Sequence, residues 1–429
     1  MLLDPEGFAV IGASREPSKV GHVIFKSLLK SKNKVYPVNP KTSSILGKKC
    51  YRSITDLKGK VSHAVIAVPA KIVPLVMNDC GLAGIKVAII ISAGFSEAGN
   101  KELEERVVSI AKKYGVRILG PNVLGVIIPE EYNASFFEGI IKKGGVSFIS
   151  QSGALGVAML DLFTAHDWGL RSFVSVGNTS DLTITDVLKE LINDKETKCV
   201  IMYVESLRKG RDFINLCKNS CKPIFVIKAG TSEAGRRASA THTGSIVGSD
   251  EVYEAALKQG GVVRVKTLKS LINTALVCES YGMIGDKGLI ITNAGGPGIL
   301  MTDALKSVPQ LPSKLVKGVS KKLSGVAWSR NNPVDVIGDA QADRYAVVFN
   351  EVKKFDFYDY VVVLLTPQAM TEPLKTAREV VKFAKACKKP VFPCFLGGEL
   401  IDEAIKYMKK NGLFVFSEIA ELSDTINYL

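Results

Sequence analysis

One histidine of this sequence stands in surroundings that suit chemistry. The 429 residues include four histidines, and His22, His63 and His166 fall within a helical pattern, before a strand and at a helix end. His242 lies instead in residues 238–249, a run dominated by small, hydroxyl-bearing and glycine residues. We expect an accessible imidazole there that acts as a base, a metal ligand or a nucleophile. A metal is disfavoured because no second histidine or cysteine lies nearby in the sequence.

A carboxylate at the end of an apolar strand could support that histidine. Glu205 directly follows Cys199–Val204, which has the composition of a buried strand. Side chains at the carboxyl ends of parallel strands face the ligand edge of an α/β sheet. If Glu205 reaches His242, it would fix the imidazole tautomer and stabilise a phosphorylated ring. The alternatives are a solvated loop residue and a neighbour of a helix N-cap.

Two strand-to-helix turns have the composition of anion sites. Their small residues expose backbone N–H groups at the start of a helix, where the helix dipole favours negative charge. Either turn alone is a common α/β feature, but two that face each other would hold one phosphoryl group. The candidate phosphate-binding residues are Gln151, Ser152, Gly153 and Ala154 in the first turn and Gly295, Gly296, Pro297 and Gly298 in the second.

A third turn, Gly12-Ala13-Ser14, follows the first apolar strand but does not match the GxGxxG pattern of dinucleotide-binding proteins. The second strand is followed by Asn39-Pro40-Lys41 and not by the acidic residue that holds a ribose in NAD enzymes. A lysine at this place suits a phosphate. We therefore predict a nucleotide site other than NAD, with CoA favoured and a plain structural turn as the alternative.

These residues are carried by an alternation of short apolar strands, glycine-rich turns and amphipathic helices, which predicts an α/β fold with parallel sheets. The alternation falls into three blocks, and the second and third blocks open with the same order of strand, loop and helix. We predict a five-stranded, doubly wound, Rossmann-like domain over residues 1–125. Two flavodoxin-like domains are predicted over residues 143–275 and 286–429, with linkers near 126–142 and 276–287.

The composition is that of a soluble globular protein, with 46% hydrophobic and 23% charged residues. No apolar run reaches the roughly 18 residues of a membrane span, and no signal-peptide pattern is present, so we expect a cytoplasmic protein without a membrane partner. The eight scattered cysteines form no CxxC pair, which favours reduced thiols.

The net charge of +14 is distributed without a nucleic-acid-binding motif. A polyanionic cofactor, an acidic partner subunit or a generally basic surface explains the charge as well as nucleic acid does, and we expect no nucleic-acid partner.

Taken in order, the motifs resemble those of the α subunit of ADP-forming acyl-CoA (acetyl-CoA) synthetases, in the succinyl-CoA synthetase superfamily. The resemblance covers nearly the whole chain and implies a Rossmann-like CoA-binding domain followed by two succinyl-CoA synthetase-like domains. The motifs that carry it are Gly12-Ala13-Ser14, Val35-Tyr36-Pro37-Val38-Asn39-Pro40, Val68-Pro69, Ser92-Ala93-Gly94-Phe95-Ser96-Glu97, Gly120-Pro121-Asn122, Ser150-Gln151-Ser152-Gly153-Ala154-Leu155-Gly156, Thr241-His242-Thr243-Gly244-Ser245 and Asn332-Pro333-Val334-Asp335.

The resemblance implies the reaction acyl-CoA + ADP + phosphate ⇌ carboxylic acid + CoA + ATP. An acyl phosphate would form first, and His242 would then take its phosphoryl group with support from Glu205. The small carboxylic acid is expected near Val176, Gly177 and Asn178. The residues implied for CoA are Gly12, Ala13, Ser14, Lys19, Asn39, Lys41, Val68, Pro69, Ser92, Ala93 and Gly94.

No ATP-grasp region is visible in the sequence. The resemblance therefore implies a separate β subunit that binds ADP or ATP and Mg²⁺, in an α2β2 heterotetramer, with no metal on this chain. One rival class comprises protein lysine acetyltransferases, which add an acetyltransferase domain and usually lack the histidine. Two others are a non-catalytic CoA-binding regulator or scaffold and an NAD-binding regulator.

Overall fold

The computed structural model describes residues 2–243 and 249–429, with the backbone alone for residues 239–243. The chain forms two compact units, Met1–Leu271 and Ile272–Leu429, which we name the N-terminal and C-terminal units. No helix within the described residues has the length and apolar character needed to cross a membrane.

The N-terminal unit begins with a doubly wound parallel sheet. Its elements are β1 (Phe8–Ile11), α1 (Val20–Leu28), β2 (Val35–Val38), the hairpin strands β3 (Ser44–Ile45) and β4 (Lys48–Lys49), β5 (His63–Ile66), α2 (Val73–Ala83), β6 (Val87–Ile90), α3 (Lys101–Tyr114) and β7 (Arg117–Leu119), with short 3-10 helices at Ile54–Leu57, Ala70–Ile72 and Ser96–Ala98. The strand order is β2-β1-β5-β6-β7. Strands β1, β5 and β6 are buried along their whole length, as expected when helices cover both faces of a parallel sheet.

The same unit continues into a seven-stranded sheet. The elements that follow are β8 (Gly125–Ile128), β9 (Tyr132–Ser135), β10 (Lys142–Ser150), α4 (Gly153–Ala165), β11 (Gly169–Ser175), α5 (Ile184–Asn193), β12 (Cys199–Val204), α6 (Gly210–Lys218), β13 (Ile224–Lys228), α7 (Glu233–Thr243), α8 (Asp250–Gln259) and β14 (Val263–Arg264). Helix α9 (Leu268–Tyr281) begins in this unit, and most of its residues belong to the C-terminal unit. The order is β14-β13-β12-β10-β11-β8-β9. Strands β10 to β14 pair in parallel, whereas β8 and β9 join the edge antiparallel.

The interpretation of residues 126–142 as a linker was wrong for its first half. Strand β8 pairs with β11, with Val126 opposite Val174 and Ile127 opposite Phe173. All four residues of β8 are buried, so this apolar run belongs to the sheet. The second linker was also misread, because α9 continues to Tyr281.

A buried cation holds the β8–β9 turn against the sheet. Arg171 of β11 is 7% exposed. Its guanidinium donates to the Asp194 carboxylate at 2.8 Å and to Glu131, in the turn, at 2.7 Å. Glu196 also lies 3.1 Å from the guanidinium. Because an unpaired charge is costly to bury, loss of one partner of the Arg171–Asp194 pair would destabilise the fold.

The C-terminal unit contains a four-stranded parallel sheet. After α9 its elements are β15 (Gly288–Thr292), α10 (Gly295–Ala304), α11 (Ser313–Lys322), β16 (Val334–Asp335), α12 (Ala342–Val352), β17 (Tyr360–Leu365), α13 (Pro373–Ala386), β18 (Val391–Phe395), α14 (Glu399–Lys410) and α15 (Ile419–Asn427). The order is β16-β15-β17-β18, and β17 is buried throughout. The predicted fold class, a Rossmann-like domain followed by two flavodoxin-like domains, is confirmed. The predicted domain boundaries stay a prediction.

Candidate functional site

A cleft of about 850 Å³ opens at the carboxyl edge of the first sheet. The strand order reverses between β1 and β5, and loops that diverge at such a point leave room for a ligand. The wall combines the cations Lys19, Lys41 and Arg52 with apolar side chains at Ile72 and Leu75. This mixture fits a ligand that has both phosphates and an apolar arm, as CoA has. Of the residues predicted to bind CoA, the lining includes Gly12, Ser14, Lys19, Asn39, Lys41, Val68 and Pro69.

The turn after β1 is shaped by two glycines. Gly12 has φ +90°, in the left-handed region, and an added Cβ there would lie 2.3 Å from the Ala67 carbonyl oxygen. Gly21, in the first turn of α1, lies so near that its Cβ would be 2.0 Å from the Gly12 carbonyl oxygen. Ala13 is fully buried, and its carbonyl oxygen accepts a hydrogen bond from the Asn39 amide at 2.8 Å. Ala13 and Asn39 therefore hold the turn, and Asn39 also lines the cleft.

Arg52 is a lining residue that the sequence analysis missed. It follows Tyr51, whose N–H donates to the Pro37 carbonyl at 3.0 Å and whose carbonyl accepts from the Asn39 N–H at 2.9 Å. This pairing with the end of β2 brings Arg52 to the ligand edge after a hairpin, with no glycine-rich turn before it. The only sequence feature that could have indicated Arg52 as a lining residue was its positive charge close to a loop that also carries lysine.

A second cleft, of about 770 Å³, adjoins the first and lies in the same unit. The predicted residues Ser92 and Ala93 line it, whereas Gly94 is not among the described residues that do. The whole predicted phosphate loop, residues 151–154, also contributes to its wall. The two clefts share the wall residues Lys19, Val20, Ala67, Val68 and Pro69. A ligand that fills the first cleft can therefore extend to the phosphate loop.

The phosphate loop is fixed to the end of the neighbouring strand by one side chain. The Gln151 carbonyl oxygen Oε1 accepts hydrogen bonds from the N–H groups of Glu205, at 2.6 Å, and Ser206, at 2.9 Å. Ser152 caps α4, because its hydroxyl accepts from the Leu155 N–H at 3.2 Å. Glu205 is 7% exposed. The structure thus brings together Glu205 and the loop, which the sequence predicted separately, although their chemical roles stay a prediction.

His242 lies in α7, and its side chain is outside the described residues. The helix contacts the 3-10 helix Ser96–Ala98, which directly follows the loop that carries Ser92, Ala93 and Gly94. The backbone of α7 therefore lies near the rim of the second cleft. This placement suits the predicted role of His242 but does not test it.

The predicted acid-binding residues have other contacts in the structure. Val176 is fully buried, and Gly177 has φ +51° with its backbone against Pro121. The Asn178 amide donates to Glu97 Oε2 at 2.6 Å and to Glu104 Oε2 at 2.9 Å. Glu97 Oε1 in turn accepts from the Gly94 N–H at 2.6 Å.

We call Glu97, Glu104 and Asn178 the Glu97 cluster. Burial raises the pKa of the Glu97 carboxyl, but the hydrogen bonds from Asn178 and from backbone N–H groups outweigh it and leave the pKa below its ordinary value. The ionised Glu97 carboxylate therefore positions the loop at the cleft rim. Contact of Asn178 with an acid substrate stays a prediction.

The second predicted phosphate loop, in the C-terminal unit, is built in a similar way. The Asn293 amide donates to the Thr366 carbonyl at 2.9 Å, and its Oδ1 accepts from the Thr366 N–H at the same distance. Asn293 therefore links this loop to the end of β17, as Gln151 links the first loop to β12. Helix α10 begins at Gly295 without a side-chain cap, and Gly295 and Gly296 are exposed. Its first N–H groups are suited to an anion. Pro297 and Gly298 complete the first turn, with Gly298 buried.

Two family models match the chain, a CoA binding domain over residues 6–129 and a succinyl-CoA ligase like flavodoxin domain over residues 143–278. A relative from Pyrococcus furiosus, the α subunit of an ADP-forming acetate–CoA ligase II, is 38% identical, over 96% of this chain and 93% of its own length. An ADP-forming acetate–CoA ligase from Methanocaldococcus jannaschii is 39% identical over 95% of this chain. The chain spans only 60% of that relative.

Solved structures agree with the sequence relatives. The chain is similar to a dinucleotide-forming acetyl-coenzyme A synthetase 1 from Candidatus Korarchaeum cryptofilum, solved in complex with phosphate and ADP. The TM-score is 0.93 and the identity 37%, over all of this chain and 95% of the other.

Proposed function

Because this chain belongs to the family of the ADP-forming acetate–CoA ligases, we propose that it supplies the CoA-binding and phosphoryl-carrying part of such an enzyme. The overall reaction is acyl-CoA + ADP + phosphate ⇌ carboxylic acid + CoA + ATP. A small carboxylic acid is the expected substrate, since the relatives are named for acetate.

The observation that carries the proposal is the wall shared by the two clefts. Lys19, Val68 and Pro69 belong to both, so a ligand bound along the first sheet reaches the phosphate loop without leaving the unit. The cations of the first cleft fit the phosphates of CoA, and the second cleft leaves room for a thioester beside residues 151–154. A thioester and an inorganic phosphate would then meet at the N-terminus of α4, where the helix dipole favours the anion.

The chemistry on this chain divides into two steps. A phosphate oxygen attacks the thioester carbonyl carbon, the C–S bond breaks, and the thiolate leaves and takes up a proton. A ring nitrogen of His242 then attacks the phosphorus of the acyl phosphate, and the carboxylate leaves as the N–P bond forms. We infer that Glu205 stabilises the resulting phosphorylated imidazolium. The hydrogen bond from the Glu205 N–H to Gln151, which fixes this strand end to the loop of residues 151–154, supports that role.

The phosphoryl group must finally pass to ADP. We infer that an ATP-grasp region binds the nucleotide and Mg²⁺, either on a β subunit in an α2β2 assembly or on the same polypeptide. Relatives of both kinds support these arrangements, since some are α subunits and others are longer single chains. The loop that begins α10 is the candidate second anion site, because its N–H groups have no side-chain cap.

A labelling experiment tests the proposal. The chain, in complex with its nucleotide-binding partner, is incubated with acetyl-CoA and labelled phosphate. We expect label on this chain that is stable to base and labile to acid, that is absent in His242→Ala and that is reduced in Glu205→Gln. CoA binding, measured by calorimetry, should be kept in both variants. CoA binding without any label would instead favour a CoA-binding regulator or scaffold.

A further inference from the structure

Lys228 is a buried cation that the mechanism above does not use. It is the last residue of β13 and lies beside Val204, the residue before Glu205, in the parallel register of β12 and β13. Lys228 is 5% exposed, which is rare for a lysine unless something compensates its charge. Its ammonium group donates to the Ala229 carbonyl and lies 4.3 Å from the centre of the Tyr253 ring.

The contacts of Tyr253 connect Lys228 to the phosphate loop. The Tyr253 hydroxyl accepts a hydrogen bond from the Leu207 N–H at 3.1 Å. Two residues earlier, the Glu205 N–H donates to Gln151 at 2.6 Å. Residues 205–207 are thus fixed on one side to the phosphate loop and on the other to the ring that carries the Lys228 ammonium. The lysine therefore lies at the same strand edge as the proposed phosphoryl site.

Charged groups around Lys228 act in opposite directions. Burial lowers the pKa of Lys228 to about 8; the Asp250 and Glu205 carboxylates oppose this shift, and Arg264 and Arg236 add to it. Arg264 itself pairs with Asp250 at 2.7 Å. The ammonium is thus cationic at neutral pH and loses its proton within the range in which an enzyme assay can be run.

We propose that Lys228 is a positioning residue that supplies the positive charge needed beside Glu205 when the phosphoryl group is transferred. The proposal rests on the proposed function, because the phosphoryl group is the charge in question. A phosphoryl dianion that approaches the Glu205 carboxylate meets electrostatic repulsion. An ammonium held at the next strand end offsets that repulsion, and the low polarity of the buried position increases its effect.

The test compares the pH dependence of phosphoenzyme formation in wild type, Lys228→Arg and Lys228→Met, each in complex with its nucleotide-binding partner. The initial rate of labelling from acetyl-CoA and labelled phosphate is measured from pH 7 to pH 9.5. At pH 9, one unit above a pKa of about 8, roughly one tenth of Lys228 stays protonated. We therefore expect the wild-type rate, relative to that of Lys228→Arg, to fall about tenfold between pH 7 and pH 9.

Lys222, at the opposite end of β13 from Lys228, provides a matched control. It lies just before β13, is half-buried, and burial lowers its pKa as well. Its ammonium donates to backbone carbonyls of Leu191 and Asp194. Lys222→Arg should therefore keep the wild-type pH profile. Lys228→Met should label slowly at every pH while its CoA affinity stays at the wild-type value, which shows that the variant is folded.

The outcomes are distinct. A wild-type profile that matches Lys228→Arg at every pH would overturn the role of Lys228, as would full labelling of Lys228→Met. If Lys228→Met loses CoA binding, the comparison of wild type with Lys228→Arg, which preserves the positive charge, decides the test. Absence of label in wild type overturns the proposed function itself and this inference with it.

Discussion

Replacing Gly21 by alanine should force α1 away from the turn that forms the proposed CoA cleft. The new Cβ would lie 2.0 Å from the carbonyl oxygen of Gly12 and 2.8 Å from its carbonyl carbon. An ordinary Cβ contact is 3.4–4 Å, so the helix has to retreat by about 1.4 Å, the difference between 2.0 and 3.4 Å. Both obstructing atoms are backbone and cannot rotate aside.

The size of the effect follows from that geometry. Overpacking a close contact costs about 1–3 kcal/mol, and a backbone obstruction belongs at the upper end. For a unit of this size, a loss of about 3 kcal/mol lowers Tm by about 6–12 °C. Lys19 and Val20, which line both clefts, directly precede Gly21 and move with it. We expect CoA affinity to fall at least about tenfold, equivalent to about 1.4 kcal/mol of binding free energy.

Scanning calorimetry and isothermal titration with CoA measure the two quantities. Gly210→Ala is the control, because Gly210, like Gly21, lies in the first turn of a helix, and its added Cβ meets nothing within 4 Å. That variant should keep both Tm and the CoA Kd. If Gly21→Ala also keeps them, the close approach of α1 to the turn does not shape the cleft, and the reasoning fails.

Two further predictions concern charged side chains that are buried or partly buried. Arg171→Met should lower the free energy of unfolding by about 3–5 kcal/mol, because it leaves the Asp194 carboxylate without its cation. Lys101→Met, at an exposed ion pair, should change the free energy of unfolding by less than about 0.5 kcal/mol. Urea titration measures both variants, and equal losses would contradict the role of Arg171. The carboxylate of Glu97 has a lowered pKa, so it stabilises the fold above its unfolded pKa of about 4.5 and loses that contribution as the pH falls through the lowered value. Glu97→Gln should therefore flatten the fall in Tm as the pH drops below about 4.5, and an unchanged slope in thermal melts would refute the Glu97 cluster.

The sequence was sufficient to predict features that depend on residues close together in the chain. Glycine-rich turns after apolar strands mark the ligand edge of a parallel sheet, and Gly12 and Gly295 lie at such edges in the structure. The proposed role of Glu205 also began with a local observation, its place after a buried strand.

Contacts between distant residues could not be predicted in this way. Gln151 and Glu205 are 54 residues apart, and their hydrogen bond depends on which strands become neighbours. Lys228 is, in the sequence, only the end of an apolar strand, and its importance depends on Tyr253. The β8–β9 hairpin was missed because its strands have four residues each and no helix between them. The prediction relied on strands that alternate with helices, and this pair does not follow that pattern.

That hairpin limits how this protein can be divided or recombined. Strand β9 is the edge strand of the second sheet and packs against α1 of the first, while β8 joins β9 to β11. The Tyr132 hydroxyl also donates to the Leu2 carbonyl at 2.6 Å, which ties the start of the chain to the hairpin. A cut near residue 125 would leave β8 and β9 on the second sheet but separate β9 from α1, and the apolar surfaces uncovered in this way promote aggregation. When segments are exchanged between related ligases, transfer of residues 2–271 as one piece should therefore give a folded protein. Transfer of the CoA-binding part alone, cut near residue 125, should give insoluble fragments.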